Sequence, residues 1–254
     1  MAKRLARRGM ARVSDPYGLP QNHGDNVRRL FDATEWSPVD EEPERQQKYR
    51  KNIRAQNESQ QRMLEALDRS NLVFAVGAAG TGKTYLAVAK AVEALEDGRV
   101  RRIVLSRPAV EAGENLGFLP GALEEKMSPY LRPLYDALCD RLSAKRLKAM
   151  MSEGVIEIAP IAYMRGRTLN NAYVVIDEAQ NCTYAQLKML LTRLGWNSSM
   201  VVTGDPAQTD LLPGMSGLDD VVGKLEAIEN VSVIRFSRAD VVRHPLVAEI
   251  VDAL

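Results

Sequence analysis

Residues Gly77-Ala78-Ala79-Gly80-Thr81-Gly82-Lys83-Thr84 satisfy the spacing G-x-x-x-x-G-K-[ST] at every fixed position. Glycines let a backbone curl until successive amide N–H groups converge. A helix that starts there adds its own unpaired amides and the positive end of its dipole. Such a concavity takes phosphate oxygens. Lys83 brings a full charge to the β- and γ-phosphates of a nucleotide, and the Thr84 hydroxyl, one residue on, is suited to Mg²⁺. At ordinary Gly and Lys frequencies a chance match in a chain of this length arises about once in a hundred. The competing reading is a glycine-rich turn that caps an ordinary helix.

A second constellation, Tyr173-Val174-Val175-Ile176-Asp177-Glu178, places two carboxylates just past an apolar run, a Walker B arrangement. A buried strand would hold Asp177 rigidly near Mg²⁺, while Glu178 orients and deprotonates an attacking water. Taken alone, an acidic pair after a strand also reads as a solvated loop or helix cap; the phosphate loop upstream favours chemistry. A third element, Val201-Val202-Thr203-Gly204-Asp205-Pro206-Ala207-Gln208, repeats the pattern of a polar segment beyond an apolar strand. The Gln208 amide can donate to a γ-phosphate oxygen and accept from water. Gly204-Asp205-Pro206 is equally compatible with a plain turn.

These residues need a scaffold that brings strand ends together. Short runs apolar on both faces fit strands buried between helix layers: Leu72 to Val76, Arg102 to Ser106, Val155 to Ala159, Tyr173 to Asp177, Met200 to Gly204 and Val231 to Phe236. Helical spacing recurs over Met63 to Asp68, Lys83 to Leu95, Leu134 to Met151, Thr183 to Leu194 and Leu218 to Ile228. The alternation predicts an α/β domain with a mostly parallel sheet and helices on both faces, whose ligands gather at the carboxyl ends of the strands. The stretch Arg107 to Pro133, with its glycines and prolines, reads as a loop near that edge.

Composition narrows the class further. The chain has 254 residues, 45% apolar and 26% charged, which suits one large globular domain or two small ones. Its longest apolar stretches, such as Leu72 to Val76, fall far short of the ~20 residues that cross a bilayer. Met1 to Val13 is basic without an apolar centre, so a cytosolic protein is expected. Cys139 and Cys182 lack the spacing of a zinc site or disulfide scaffold and read as reduced thiols. His23 and His244 are isolated, and no cluster suits a metal-dependent nuclease. Net charge is +1, which does not by itself announce nucleic-acid binding. The basic excess lies in the first 58 residues, with 12 Lys and Arg against 9 Asp and Glu. That segment reads as a polar arm, with a short helix over Arg45 to Ala55 and a cationic tip at Lys3, Arg4, Arg7, Arg8 and Arg12 that either stays solvated or touches phosphates.

GAAGTGKT, VVIDEAQ and VVTGDPAQTDL, in that order, together with QNESQ, SRPAV, ENLGFLPG, PYLRPLYD, IEIAPIAYMRGRTL, LKMLLTRLG and RFSRADVVRHPLV, resemble the PhoH-like family of ATPases. The core of that family is similar to the first RecA-like domain of superfamily 1 helicases. The likeness runs from about Gln56 to Val247, which divides the chain into an arm over 1–55 and a P-loop domain over 56–254. It implies that Gln60 reads adenine, so that ATP rather than GTP is the nucleotide. It implies that Arg107 approaches nucleic acid or couples it to the nucleotide, unless it is a surface arginine. Tyr163, Arg165 and Arg167 combine an aromatic ring with two guanidiniums, a mixture suited to single strands or to an interface. Superfamily 1 helicases close a second RecA-like domain over the nucleotide; here the resemblance implies a homo-oligomeric ring, a hexamer, with ATP between neighbours. Arg238 and Arg243 are the candidates for an arginine finger, Arg243 slightly ahead, with a surface salt bridge as the plain alternative.

The expectation is therefore an Mg²⁺-dependent ATPase that acts on single-stranded RNA or DNA. The alternative is a regulatory nucleotide-binding ATPase without a nucleic-acid substrate, and a weaker one is a phosphotransferase in which Glu178 activates a hydroxyl.

Overall fold

A computed structural model describes residues 53–108 and 123–242. The N-terminal arm as far as residue 52, with its cationic tip and most of the Arg45 to Ala55 helix, lies outside the described residues, as do His23, Arg243 and His244.

Six strands form one parallel sheet: β1 (Leu72–Gly77), β2 (Arg102–Ser106), β3 (Ile156–Ile158), β4 (Ala172–Ile176), β5 (Ser199–Gly204) and β6 (Val231–Phe236), in the spatial order β3-β2-β4-β5-β1-β6. Register pairs Val73 with Val201 and Ser232, and Val174 with Val104 and Met200. The period of two in side-chain direction splits the apolar residues between two cores. On one face Val73, Ala75, Ile103, Leu105 and Val175 pack beneath α1 (Glu58–Arg69), α2 (Lys83–Glu96), α3 (Leu123–Cys139) and α4 (Ala144–Ser152). On the other, Phe74, Val104, Val174, Ile176 and Val202 pack beneath α5 (Tyr184–Leu191) and α6 (Leu218–Leu225). This is the α/β arrangement, a parallel sheet with helices on both faces, that the strand pattern predicts.

α5 and α6 each end three residues before their expected bounds, and the larger departures from expectation are three. α1 begins at Glu58, five residues before the apolar spacing starts, because Asn57 caps it: its side chain accepts from the Gln60 amide at 2.8 Å. The single helix expected over Leu134 to Met151 is two, broken where Ser143 caps α4. α3 starts at Leu123, inside the segment read as a loop, and runs through Pro129 and Pro133. A proline inside a helix costs about 3 kcal/mol. Burial of Leu131, Leu134, Tyr135 and Leu138, all nearly inaccessible, offsets this at ~1.5–3 kcal/mol for each large apolar side chain.

Among the described residues no helix is long and apolar enough to cross a membrane. Neither Cys139 nor Cys182 forms a disulfide among the described residues.

Candidate active site

Parallel strands put all their carboxyl ends on one side, and the order β4-β5-β1 sets the acidic pair, the Gly204-Asp205 segment and the phosphate loop next to one another. The loop leaves β1 at Gly77, with φ of 126°, 76° and 82° at Gly77, Gly80 and Gly82. The tightest position is Gly77, where a Cβ would stand 1.9 Å from the Phe236 carbonyl oxygen. Gly82 enters α2 in the left-handed conformation, without a side-chain cap. α1, α4 and α5 are each capped by a side chain, from Asn57, Ser143 and Thr183. α6 has no such cap but carries Asp219 and Asp220 in its first turn. α2 has neither a cap nor an acid there, so its amides and positive dipole end are left open to an anion.

Lys83 stands over this opening. Its ammonium donates to the carbonyls of Gly77 and Ala78, both at 2.7 Å. Burial holds it below the usual lysine range, against the opposing pull of Asp205, Glu178 and Asp177. The Thr84 hydroxyl donates to Asp177 Oδ1 at 2.7 Å, and Thr203 donates to the same oxygen at 2.6 Å. Asp177 is 3% exposed. A hydroxyl beside a buried carboxylate is the hard-oxygen donor set that suits Mg²⁺ carried on substrate phosphates. The cation now facing these groups is Arg107, whose guanidinium lies 3.5 Å from Asp177 Oδ2 and 3.3 Å from Glu178 Oε1.

Glu178 sits at φ 53°, a left-handed conformation that is uncommon outside glycine and asparagine. Its second oxygen accepts from Gln180 Nε2. Gln180 is a hub: the same amide nitrogen reaches the Gln208 carbonyl at 3.3 Å, and its oxygen accepts from the Asp205 amide at 3.1 Å. Asp205 Oδ2 in turn accepts from the Ala79 amide of the phosphate loop at 3.0 Å. Gln208 lines the resulting cleft of about 240 Å³ with Thr81, Lys83, Glu178 and Asp205. Gln180, Thr203 and Asp205 stand within the sequence motifs, but the motifs assign them no role. Local spacing does not say which distant groups a buried amide, hydroxyl or carboxylate will meet.

Gln60 is buried against the loop. Its Nε2 donates to the Thr81 carbonyl at 3.0 Å and its Oε1 accepts from the Gln56 amide at 2.8 Å. Both edges of the amide thus serve the chain itself, leaving one N–H and one lone pair. Flipping the amide would set donor against donor and acceptor against acceptor. The segment after β6 closes the same side: Asn57 donates to the Asp240 carbonyl at 3.0 Å, and the Val242 amide donates to the Gly80 carbonyl at 3.0 Å.

The arginines divide. Arg238 is exposed on the turn after β6 and has no ion-pair partner among the described residues. Tyr163 and Arg165 are exposed beyond the edge strand β3, separated by β2 from the acidic pair on β4. Arg167 departs from the free cation expected: its guanidinium makes a bidentate pair with Glu157, with Nη2 at 2.7 Å from Oε2. A fork of that geometry commits it to β3.

Parallel sheet, phosphate loop and acidic strand end define a P-loop NTPase domain. The model of the family described as PhoH-like protein matches residues 52–254, and the chain belongs to that family. It is 58% identical over 204 residues to the PhoH-like protein of Bacillus subtilis, covering 80% of this chain and 64% of the relative. With Protein PhoH of Escherichia coli it shares 50% over 197 residues, covering 76% and 56%. The matched region thus spans a little over half the length of these relatives. Among solved structures it is similar to the large terminase of a thermophilic bacteriophage in complex with ADP, with a TM-score of 0.46 and 12% identity, covering 77% of this chain and 49% of that one. It is also similar to the Pyrococcus furiosus Hef helicase domain, with a TM-score of 0.43 and 14% identity, covering 72% and 38%.

Proposed function

We propose that this domain binds ATP with Mg²⁺ and hydrolyses it, and that hydrolysis is coupled to single-stranded RNA or DNA in a cytoplasmic ring of identical subunits, a hexamer. The observation that carries the nucleotide reading is the uncapped, acid-free N-terminus of α2 beneath the Lys83 ammonium, facing Thr84, Asp177 and Glu178 across one cleft. The loop amides and Lys83 hold the β- and γ-phosphates. Thr84 and Asp177 would hold Mg²⁺, which supplies charge neutralisation to the phosphates when bound. Glu178 orients a water and takes its proton as the water oxygen bonds to the γ-phosphorus and the bond to the bridging oxygen of ADP breaks. Gln208, whose backbone carbonyl is linked through Gln180 to Glu178, follows the departing phosphate with its side-chain amide, a role supported by its place in the lining of the cleft. The locked Gln60 amide favours adenine, which offers a donor beside an acceptor, over guanine, which offers two acceptors.

The nucleic-acid part is supported by exposed Tyr163 and Arg165, and by Arg107 on the acidic pair, where it can couple a strand to the nucleotide. Arg238, exposed and without an ion-pair partner among the described residues, and Arg243 are the groups offered to a neighbour's site. The test is the ATPase rate against added single-stranded RNA or DNA at rising salt. Stimulation that weakens with salt supports the reading, because phosphate contacts release counterions. A flat response supports regulation by nucleotide alone, the reading favoured by the engagement of Arg167 with Glu157.

A further inference from the structure

Each Walker B carboxylate has one oxygen committed to the scaffold: Asp177 Oδ1 to Thr84 and Thr203, and one oxygen of Glu178 to Gln180. The other oxygen of each is held by Arg107, at 3.5 Å and 3.3 Å. These contacts are long for a guanidinium–carboxylate pair, whose tight form lies near 2.7–2.9 Å. The Arg107 side chain is 20% exposed, so water screens it little from any cation that approaches the same oxygens. Arg107 also lines a second cavity of about 500 Å³, whose other walls include Thr84 and Glu178, Asp136 on α3 and Asp140 just past its end. Asp140 accepts from the Tyr85 hydroxyl at 2.8 Å, and Asp136 has no side-chain partner among the described residues. One guanidinium therefore borders two sets of carboxylates with open space between them.

We infer that Arg107 is a positioning residue with two seats. It occupies the Asp177 and Glu178 oxygens while Mg²⁺-nucleotide is absent, and swings toward Asp136 and Asp140 when the metal arrives. The inference rests on reading the cleft as a Mg²⁺-nucleotide site and adds how that site is set. Arg107 competes with the metal for Asp177, releases Glu178 only when nucleotide is loaded, and carries the loaded state to α3.

The test is calorimetric binding of ADP to the full chain over a series of Mg²⁺ concentrations, a readout that needs no turnover. Arg107→Ala removes the competing cation and is expected to lower the Mg²⁺ midpoint by about tenfold, the scale of one lost charge contact. Arg107→Lys keeps the charge without the fork and should fall between. The double variant Asp136→Asn, Asp140→Asn removes the second seat and is expected to raise the midpoint several-fold. A midpoint that rises in Arg107→Ala, or stays in place in both the alanine and the double variant, overturns the inference while leaving the nucleotide site standing. Absence of ADP binding by the unaltered chain at every Mg²⁺ concentration overturns the nucleotide reading, and this inference with it.

Discussion

Thr84 and Asp177, 93 positions apart in the chain, are joined by a 2.7 Å hydrogen bond between the Thr84 hydroxyl and Asp177 Oδ1. The first turn of α2 and the end of β4 are thereby assembled as one donor pair. Thr203, on the strand between β4 and β1, also donates to that oxygen, so Asp177 keeps its orientation without Thr84. Thr84→Ala is accordingly expected to lower the affinity for ADP in Mg²⁺ about tenfold while costing less than about 1 kcal/mol of stability. Calorimetry and thermal melting of the same preparation check both halves.

Lys83 gives a pH signature. Burial lowers its pKa, so in the nucleotide-free protein the ammonium loses its proton at lower pH than an exposed lysine does. Phosphate binding needs the charged form. ADP affinity is therefore expected to weaken as pH rises toward the ordinary lysine value, and Lys83→Ala should bind weakly with that alkaline limb gone. The sign for stability is opposite. A lysine whose folded pKa lies below its unfolded value contributes more stability as pH climbs between the two, because the unfolded chain then holds more protons.

Glu178→Gln keeps the shape of the side chain but cannot take a proton from water. The variant is expected to bind ATP and to turn it over about 10² times more slowly or worse. Phosphate release under saturating ATP, compared with equilibrium binding, separates the two effects.

Gly77→Ala drives a Cβ into the Phe236 carbonyl oxygen at a backbone angle that L-residues avoid. Both ends of the clash are backbone, so neither can rotate away. A loss of about 3 kcal/mol or more is expected, seen as a large fall in the melting temperature.

Tyr173 tests the interior behind the site. Its hydroxyl is buried without a hydrogen-bond partner among the described residues, and burial raises its pKa. Tyr173→Phe removes an unsatisfied polar atom and keeps the ring, so stability should hold or rise by about 1 kcal/mol in urea unfolding.

Much of this is legible in the sequence, for a physical reason. β1 and β2 fall within a residue of their expected bounds because strands buried on both faces are runs rich in Val, Ile, Leu and Phe, and the phosphate loop is legible because glycines reach its left-handed turns without strain. β6 keeps its expected bounds but not the expected burial: it is an edge strand in which only Ile234 and Phe236 are buried and Arg235 is exposed. Helix ends are less legible. The first turn of α1 is polar, so its start is carried by the Asn57 cap alone, and Pro129 and Pro133 inside α3 mask a helix held by its buried face. Least legible are pairings set by strand order. Asp205 with Ala79, Gln180 with Asp205, and Arg107 with the acidic pair follow from β4, β5 and β1 lying side by side with β2 beyond, and nothing local announces them. Arg167 and Glu157 are only ten positions apart, yet a guanidinium in a basic motif gives no local sign that its partner lies on the strand before it.

The central claim is that the curled loop over 77–84 and Lys83 grip a triphosphate, and it is tested most directly by equilibrium binding of ATP in Mg²⁺ to the folded chain and to Lys83→Ala. The account predicts saturable one-to-one binding that falls by about 10² or more in the variant, as expected when a buried charge contact to phosphate is lost. No binding by the folded, unaltered chain, or equal binding by both proteins, would contradict it.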